Sequence, residues 1–232
     1  PPDEIAREQE DQIAAIKAED EQITTVAKHA MRRAVFGDHP YGMRSSGTEE
    51  SVAALTREQL LAFRDSCVTG RNGVLAIFGD VAVEEVQQLA AELFAALPAG
   101  ELLMTDPPVA PPIRAAVEIV AHEPKQQAVL MAGFQGAHAL SPDRAALELI
   151  DTASSDMASR FFHRIREELG LAYFVGAAQM MGFAPGIFTF YLGTDPAKVD
   201  LVRKNFDEEI AALAADGLTE AELTRAKKKL IG

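Results

Sequence analysis

The chain has no tryptophan, a single cysteine and fewer positive than negative charges. The cysteine count and the charge each exclude a class of structure or partner. Cys67 has no second cysteine to pair with, so an internal disulfide framework is excluded. Apolar runs stay far below the ~20 residues that a membrane-spanning helix needs, so we expect no membrane span. The net charge of −13 over 232 residues repels phosphate backbones, so nucleic acid is not an expected partner.

Sequence signatures of common catalytic sites are also missing. None of the five histidines has another histidine four residues away, so neither His-Glu-x-x-His nor His-x-x-Glu-His is present. Cys67 cannot form a thiolate zinc site alone, and there is no Gly-x-Ser-x-Gly elbow or phosphate-binding glycine loop. The sequence therefore predicts no catalytic residue and no metal ligand of its own.

What is present alternates between helical and strand patterns. Apolar spacing predicts helices over 5–35, 49–66, 82–97, 142–153, 157–169, 196–215 and from about 220. Short apolar runs predict strands over 73–79, 115–121, 126–134, 171–181 and 186–193. The last two strands flank a short turn and form a predicted hairpin, which favours antiparallel pairing and an α+β fold.

Local signals refine these boundaries. Thr56 with Gln59, and Thr219 with Glu222, have the spacing of a helix capping box, so a helix should begin after each threonine. Ser141, which stands before a proline and an acid, is predicted as another N-cap. Five prolines between residues 98 and 112 predict a linker.

One corner of the predicted fold combines two polar side chains that could act together. Arg166 lies at the end of a charged helix that stops at Gly170, and Tyr173 lies at the start of the following strand. If the corner directs both side chains to one place, they could bind a carbonyl oxygen or a developing oxyanion. The alternative is that Arg166 only solvates the helix end and Tyr173 only packs in the sheet. Taken by themselves, the residues favour this alternative.

The same segment carries a family resemblance. Residues 166–173 (Arg-Glu-Glu-Leu-Gly-Leu-Ala-Tyr) resemble the Arg-Glu-x-x-Gly-Leu-Ala-Tyr signature of the pitrilysin/insulinase-type zinc metallopeptidases, which include mitochondrial processing peptidase. Further blocks, on both sides of this motif, occur in the same order as in the family. They are His-Pro-Tyr-Gly at 39–42, Gly-Thr-Glu-Glu-Ser at 47–51, Ser-Arg-Phe at 159–161 and Gly-Leu-Thr-Glu at 217–220. The resemblance extends over essentially the whole chain.

This resemblance implies an α+β fold made of two homologous α/β-layer domains, the first of them incomplete. Residues 1–97 are then the C-terminal part of the first peptidase-like domain, and 98–114 are the proline-rich linker. Residues 115–232 are the second, zinc-free domain, which we expect to be truncated at its end. The family's His-x-x-Glu-His motif would belong to an earlier stretch.

The resemblance also locates a third zinc ligand, which in active members is a Glu seven residues after another Glu on the long helix. Aligned on that helix, Glu8 takes the earlier position and Ala15 the ligand position, and the neighbours Ala14 and Ile16 supply no carboxylate either. The chain thus resembles a non-catalytic relative or the zinc-free half of an enzyme. We expect zinc only in a catalytic partner or a missing segment.

In the family, the matching Arg and Tyr reach across the chamber to hold the peptide, so Arg166 and Tyr173 are the implied substrate-binding residues. The expected function is the peptide-binding, zinc-free part of a metalloendopeptidase whose zinc site lies on another segment or subunit. The expected partners are a peptide or unfolded polypeptide, and a second copy or a zinc-bearing relative, in the bacterial periplasm or cytoplasm. A non-proteolytic scaffold or binding subunit, and an independent metalloenzyme with an unconventional site, remain the alternatives.

Overall fold

The computed structural model describes residues 2–104, 106, 108–110 and 112–232, so residues 105, 107 and 111 of the predicted linker lie outside it. Within the described residues the fold combines eight α-helices with one antiparallel sheet, which confirms the α+β prediction. The helices are α1 (Pro2–Asp20), α2 (Ile23–Phe36), α3 (Glu49–Ala53), α4 (Arg57–Cys67), α5 (Val83–Leu93), α6 (Arg144–Ser154), α7 (Val199–Asp216) and α8 (Glu220–Ile231). The strands are β1 (Ala128–Gln135), β2 (Ala172–Met180) and β3 (Ile187–Thr194).

The long helix predicted over 5–35 is two helices, so that prediction was wrong about its continuity. Gln22 has an extended backbone between α1 and α2. Arg44 places its guanidinium 2.8 Å from the Asp20 carboxylate and 3.5 Å from that of Glu19, at the end of α1. A cation at this end complements the helix dipole and stabilises the ending there. The apolar spacing on either side continues across the break and therefore did not reveal it.

Both predicted capping boxes are confirmed. The Gln59 N–H donates to Thr56 Oγ1 at 3.3 Å, and the Thr56 N–H donates back to Gln59 Oε1 at 2.8 Å, which separates α3 from α4. Thr219 begins α8 in the same way. The predicted N-cap at Ser141 was wrong, because α6 begins later, at Arg144. The Ser141 Oγ instead accepts a hydrogen bond from the Asp143 N–H at 3.2 Å.

The described residues fall into two compact units, each with its own internal contacts. Unit 1 contains residues from 1–13 and 48–107, and unit 2 contains residues from 14–47 and 108–232. In unit 1 the start of α1 is tied to α3, because Gln9 Nε2 donates to the Val52 carbonyl at 2.8 Å. The family-domain boundaries at 97 and 115 stay a prediction.

Unit 2 contains the sheet and the main core. The strand order is β1-β3-β2, and all pairs are antiparallel, which confirms the predicted β2–β3 hairpin. One face of the central strand β3 carries Phe188, Phe190 and Leu192, and these pack against side chains from the helices. Those side chains are Phe161 and Ile165, from the helical segment between α6 and β2, and Val202, Phe206 and Leu213 of α7. Ile187 belongs to a second cluster with Phe36 of α2.

Two predicted strands, 73–79 and 115–121, were wrong: neither segment is a strand in the structure. Their apolar side chains are exposed, with Val74 96% and Phe78 94% accessible in the first and Val117 71% in the second. A strand forms only when its backbone N–H and C=O groups find a neighbouring strand. Among the described residues, the only sheet is the three-stranded one of unit 2, and neither segment joins it.

Candidate functional site

Between α6 and β2, within the helix predicted over 157–169, the structure has a π-helical segment. This segment, Phe162–Glu168, contains Arg166, whose guanidinium carbon lies 4.9 Å from the centroid of the Phe162 ring. The wider hydrogen-bonding pattern continues past its end, where the Leu169 N–H donates to the Arg164 carbonyl at 3.1 Å. Gly170 then turns the chain with a φ of +60°, which a glycine adopts without strain. Short π-helical turns are frequent at functional sites.

Tyr173 occupies a second irregularity of the backbone. Ala172 lies opposite Thr194 and Phe174 lies opposite Gly193, so Tyr173 is an extra residue without a partner on β3. Such a β-bulge changes the direction of a side chain relative to the regular alternation of a strand. The Tyr173 side chain is half exposed, at 52%. The two predicted site residues therefore lie seven positions apart, on a π turn before Gly170 and a β-bulge after it.

The arginines of this region differ in what they contact. Arg164 forms ion pairs with Glu208 at 3.1 Å and with Glu209 at 3.2 Å, so its positive charge is balanced by carboxylates of the same chain. In the described part of the chain, Arg166 is exposed and forms neither an ion pair nor a hydrogen bond. Over the same residues the Tyr173 hydroxyl has no hydrogen-bond partner either. Both polar groups are therefore available to a ligand, while the roles assigned to them stay predictions.

The backbone that carries these side chains is held firmly. Ile165 is fully buried and Leu171 is 7% exposed, so the core packs on both sides of Gly170. The Leu171 N–H donates to the Ile165 carbonyl at 2.9 Å, and the Leu171 carbonyl accepts a hydrogen bond from Thr194 Oγ1 at 2.6 Å. The corner is consequently a defined element of unit 2 rather than a free loop.

The zinc ligand position implied by the family does not fit a metal. Ala15 is exposed on α1, and its methyl group offers no donor atom. The residues that the structure describes contain no group of three His, Cys, Asp or Glu side chains that could hold a metal ion. In the same part of the chain, no helix is both long and apolar enough to cross a membrane.

Comparison with known families decides the assignment. The model of the Peptidase M16 inactive domain matches residues 54–230. The chain belongs to this family. The match confirms the predicted relationship to the zinc metallopeptidases, and a zinc-free domain is consistent with it.

Two curated relatives of this M16 inactive domain come from bacteria. The chain is 33% identical over 207 residues to an uncharacterized zinc protease of Mycobacterium leprae, and this covers 86% of the chain and 45% of that protein. A similar protein of Rickettsia bellii is 29% identical over 234 residues, which is 98% of this chain and 55% of the other. The chain thus spans about half the length of the curated relatives it matches.

Solved structures agree on the fold. The peptidase M16 inactive domain from Pseudomonas fluorescens superposes with a TM-score of 0.92 at 27% identity, covering all of this chain and 56% of the other. A protease from Helicobacter pylori reaches a TM-score of 0.87 at 18% identity, which shows the shared fold alone.

The Ser-Arg-Phe block and the Thr219–Glu222 capping box, which are distant in sequence, meet in this M16 domain. Arg160, from the Ser-Arg-Phe block, donates to both carboxylate oxygens of Glu222, and its Nη2 also donates to the Gly217 carbonyl at 3.0 Å. Glu222 is the third residue of α8 and completes the capping box with Thr219, from which its Oε2 also accepts. Because 62 residues separate Arg160 from Glu222, sequence reasoning had no signal that joined them.

The His-Pro-Tyr-Gly block also has a structural role. His39 is buried; its Nδ1 accepts from the Tyr41 N–H at 3.1 Å, and its Nε2 lies 3.0 Å from the Pro108 carbonyl. The Tyr41 hydroxyl accepts from the Ala184 N–H at 3.3 Å, which ties this loop to the turn between β2 and β3. The block therefore fastens α2 within unit 2.

Proposed function

We propose that the chain is the peptide-holding, zinc-free part of an M16 metalloendopeptidase whose zinc site lies on another segment or subunit. The observation that carries this proposal is the corner at Gly170. There, on a π turn and a β-bulge, Arg166 and Tyr173 present polar groups that form no hydrogen bond or ion pair among the described residues, although the Arg166 guanidinium also lies over the Phe162 ring. The neighbouring Arg160 and Arg164, in contrast, are paired with glutamates. Backbone irregularities that keep polar side chains available are typical of binding sites.

The chemistry of the two side chains suits an extended peptide. The Arg166 guanidinium has several N–H donors in one plane and can donate to backbone carbonyl oxygens of the peptide. The Tyr173 hydroxyl can donate to the scissile carbonyl oxygen, where negative charge develops during cleavage. Both roles consist of orienting the substrate and stabilising charge, which is what a domain without metal ligands can contribute.

Binding of fluorescently labelled β-casein, an unfolded polypeptide, provides the test. Fluorescence anisotropy gives the dissociation constant of the chain alone and of the chain mixed with an M16 protein that carries His-x-x-Glu-His. Cleavage in the mixture gives the activity. We expect Arg166→Ala and Tyr173→Phe each to weaken binding or cleavage by about 10-fold or more, the scale of one lost charge-assisted or oxyanion contact.

Arg164→Ala is the matched control, because it removes a guanidinium from the same π segment that is already paired with Glu208 and Glu209. This variant should bind and cleave like the wild type. Wild-type binding and cleavage by both Arg166→Ala and Tyr173→Phe would contradict the proposed role. Size-exclusion chromatography with light scattering on the same mixtures shows whether the chain forms a homodimer or a heterodimer with its zinc-bearing relative.

A non-proteolytic scaffold or binding subunit is the second candidate, favoured by one structural likeness. A chain of Complex III2 from Candida albicans superposes with a TM-score of 0.73 at 17% identity, so the same fold occurs within that assembly. Under this alternative the corner has no ligand, so the chain alone will not bind labelled β-casein, and Arg166→Ala and Tyr173→Phe will not change binding in the mixture. Binding that depends on Arg166 would exclude it.

The domain assignment belongs to the same proposal. Residues 1–97 would complete a first domain together with further sequence, because unit 1 leaves large apolar side chains exposed within one stretch. These side chains are Val74, Leu75, Phe78, Val83, Leu89, Leu93 and Phe94. An apolar surface of this kind usually packs against another element. Residues 115–232 then form the second domain, after the linker at 98–114.

A further inference from the structure

The backbone of Leu171 is the point where the two candidate site residues are connected to the core. Its N–H donates to the carbonyl of Ile165, next to Arg166 in the π segment, at 2.9 Å. Its carbonyl accepts from Thr194 Oγ1 at 2.6 Å, and two residues later comes Tyr173. The peptide unit before Leu171 is therefore hydrogen-bonded to the π segment, and the peptide unit after it is hydrogen-bonded to β3.

Thr194 is placed to control this point. It is the last residue of β3 and is completely buried, and it lies opposite Ala128 of β1 and Ala172 of β2. The bulge at Tyr173 begins directly after the Ala172–Thr194 pair. Since Leu171 precedes β2 and Tyr173 is the extra residue of the bulge, the Thr194 hydroxyl contacts the chain directly before the point where the strand starts.

We propose that Thr194 is a positioning residue that holds Arg166 and Tyr173 in the arrangement needed to bind a peptide. This inference rests on the proposed function of those two residues. Without the hydroxyl, the buried Leu171 carbonyl loses its donor, and the start of β2 can shift relative to β3. A displacement of about 1 Å at a site that orients substrate can cost up to ~100-fold in rate.

The main test compares three substitutions in the 232-residue chain. Thr194→Val keeps the size and branching of the side chain but removes the hydroxyl, whereas Thr194→Ser keeps the hydroxyl and removes a methyl group. Thr189→Val is the matched control, because Thr189 is a buried threonine of the same strand whose hydroxyl lies 3.6 Å from the Met31 sulfur, away from the corner.

We expect Thr194→Val to weaken binding of labelled β-casein by about 10-fold, in the same assay used for Arg166 and Tyr173. Thr194→Ser should restore the affinity to within a factor of about 3, and Thr189→Val should leave it unchanged. In an Arg166→Ala, Tyr173→Phe background, Thr194→Val should have little further effect, because it acts through those side chains. A full additional loss in that background would overturn the positioning role.

Amide hydrogen exchange separates the failure of this inference from the failure of the proposed function. Thr194→Val should accelerate exchange across Leu171–Phe174 by about 10-fold or more relative to Thr189→Val, through local opening of the corner. If Arg166→Ala and Tyr173→Phe weaken binding but Thr194→Val leaves both binding and exchange unchanged, only the positioning role is wrong. If Arg166→Ala and Tyr173→Phe leave binding and cleavage of β-casein unchanged, the proposed function is wrong, and the role of Thr194 in substrate binding is wrong with it.

Discussion

Replacing Glu222 by glutamine will destabilise the protein by about 2–3 kcal/mol at neutral pH, because it removes the charge of a well-bonded carboxylate. Glu222 is 9% exposed, and both of its carboxylate oxygens accept hydrogen bonds from Arg160. Oε2 also accepts from the Thr219 N–H at 2.8 Å and from the Thr219 hydroxyl at 2.9 Å. The carboxylate thus joins the start of α8 to the segment before the π turn.

The magnitude follows from the pKa of this group. Hydrogen bonding from Arg160, assisted by Thr219 and partly opposed by burial, lowers the pKa of Glu222 from 4.5 to about 2. A carboxylate lowered by that amount contributes about 3 kcal/mol of folding free energy at neutral pH. The folded state favours the ionised form, so the contribution is complete above pH 4.5 and is lost as the pH falls towards 2. Glutamine keeps one oxygen for the cap, which makes the expected loss slightly smaller.

Urea unfolding followed by circular dichroism measures the difference between wild type and Glu222→Gln. Near pH 3 that difference should fall to less than about half of its neutral value, because the wild-type carboxylate is by then losing its advantage. The control is Glu208→Gln, whose carboxylate is 47% exposed and pairs with Arg164 on the surface; it should cost less than about 1 kcal/mol. Equal stability of wild type and Glu222→Gln at neutral pH, or a difference that does not change with pH, would refute this reasoning.

Three further substitutions test other parts of the structure. Gly170→Ala should cost about 1 kcal/mol in urea unfolding, because the residue has a φ of +60° although the space around it is open; an unchanged midpoint would contradict this. Ser155→Ala should cost about 1 kcal/mol and accelerate amide exchange at Ala177, since the Ser155 hydroxyl bonds both backbone groups of Ala177; unchanged exchange would be the opposing result. Phe78→Ser should change the stability of this chain by less than about 0.5 kcal/mol, because the ring is 94% exposed. The same substitution should lower binding of a hydrophobic dye, and a large loss of stability would show that the ring is packed.

Features of the fold with local causes were predictable from sequence. The capping boxes at Thr56 and Thr219 depend on side chains three residues from the backbone they bond, so the pattern itself contains the interaction. The β2–β3 hairpin was found for the same reason, since two apolar runs flank a short turn. Features with distant causes were missed. The break between α1 and α2 involves Arg44, more than 20 residues away. The segment 73–79 has the composition of a strand but pairs with no strand among the described residues.

The candidate site also combines features that are local in sequence with features that depend on distant residues. The sequence by itself determined the family, the two residues of interest and their spacing, because the Arg-Glu-Glu-Leu-Gly-Leu-Ala-Tyr motif is contiguous. Only the tertiary structure decided that Arg166 lies on a π turn, that Tyr173 is the extra residue of a β-bulge, and that Thr194 holds the peptide unit between them. A bulge exists only relative to the register of a partner strand, and the hydroxyl that fixes this one comes from 23 residues further along the chain. Neither relationship can be read from the segment alone, since both arise when β3 pairs with β2 in the core.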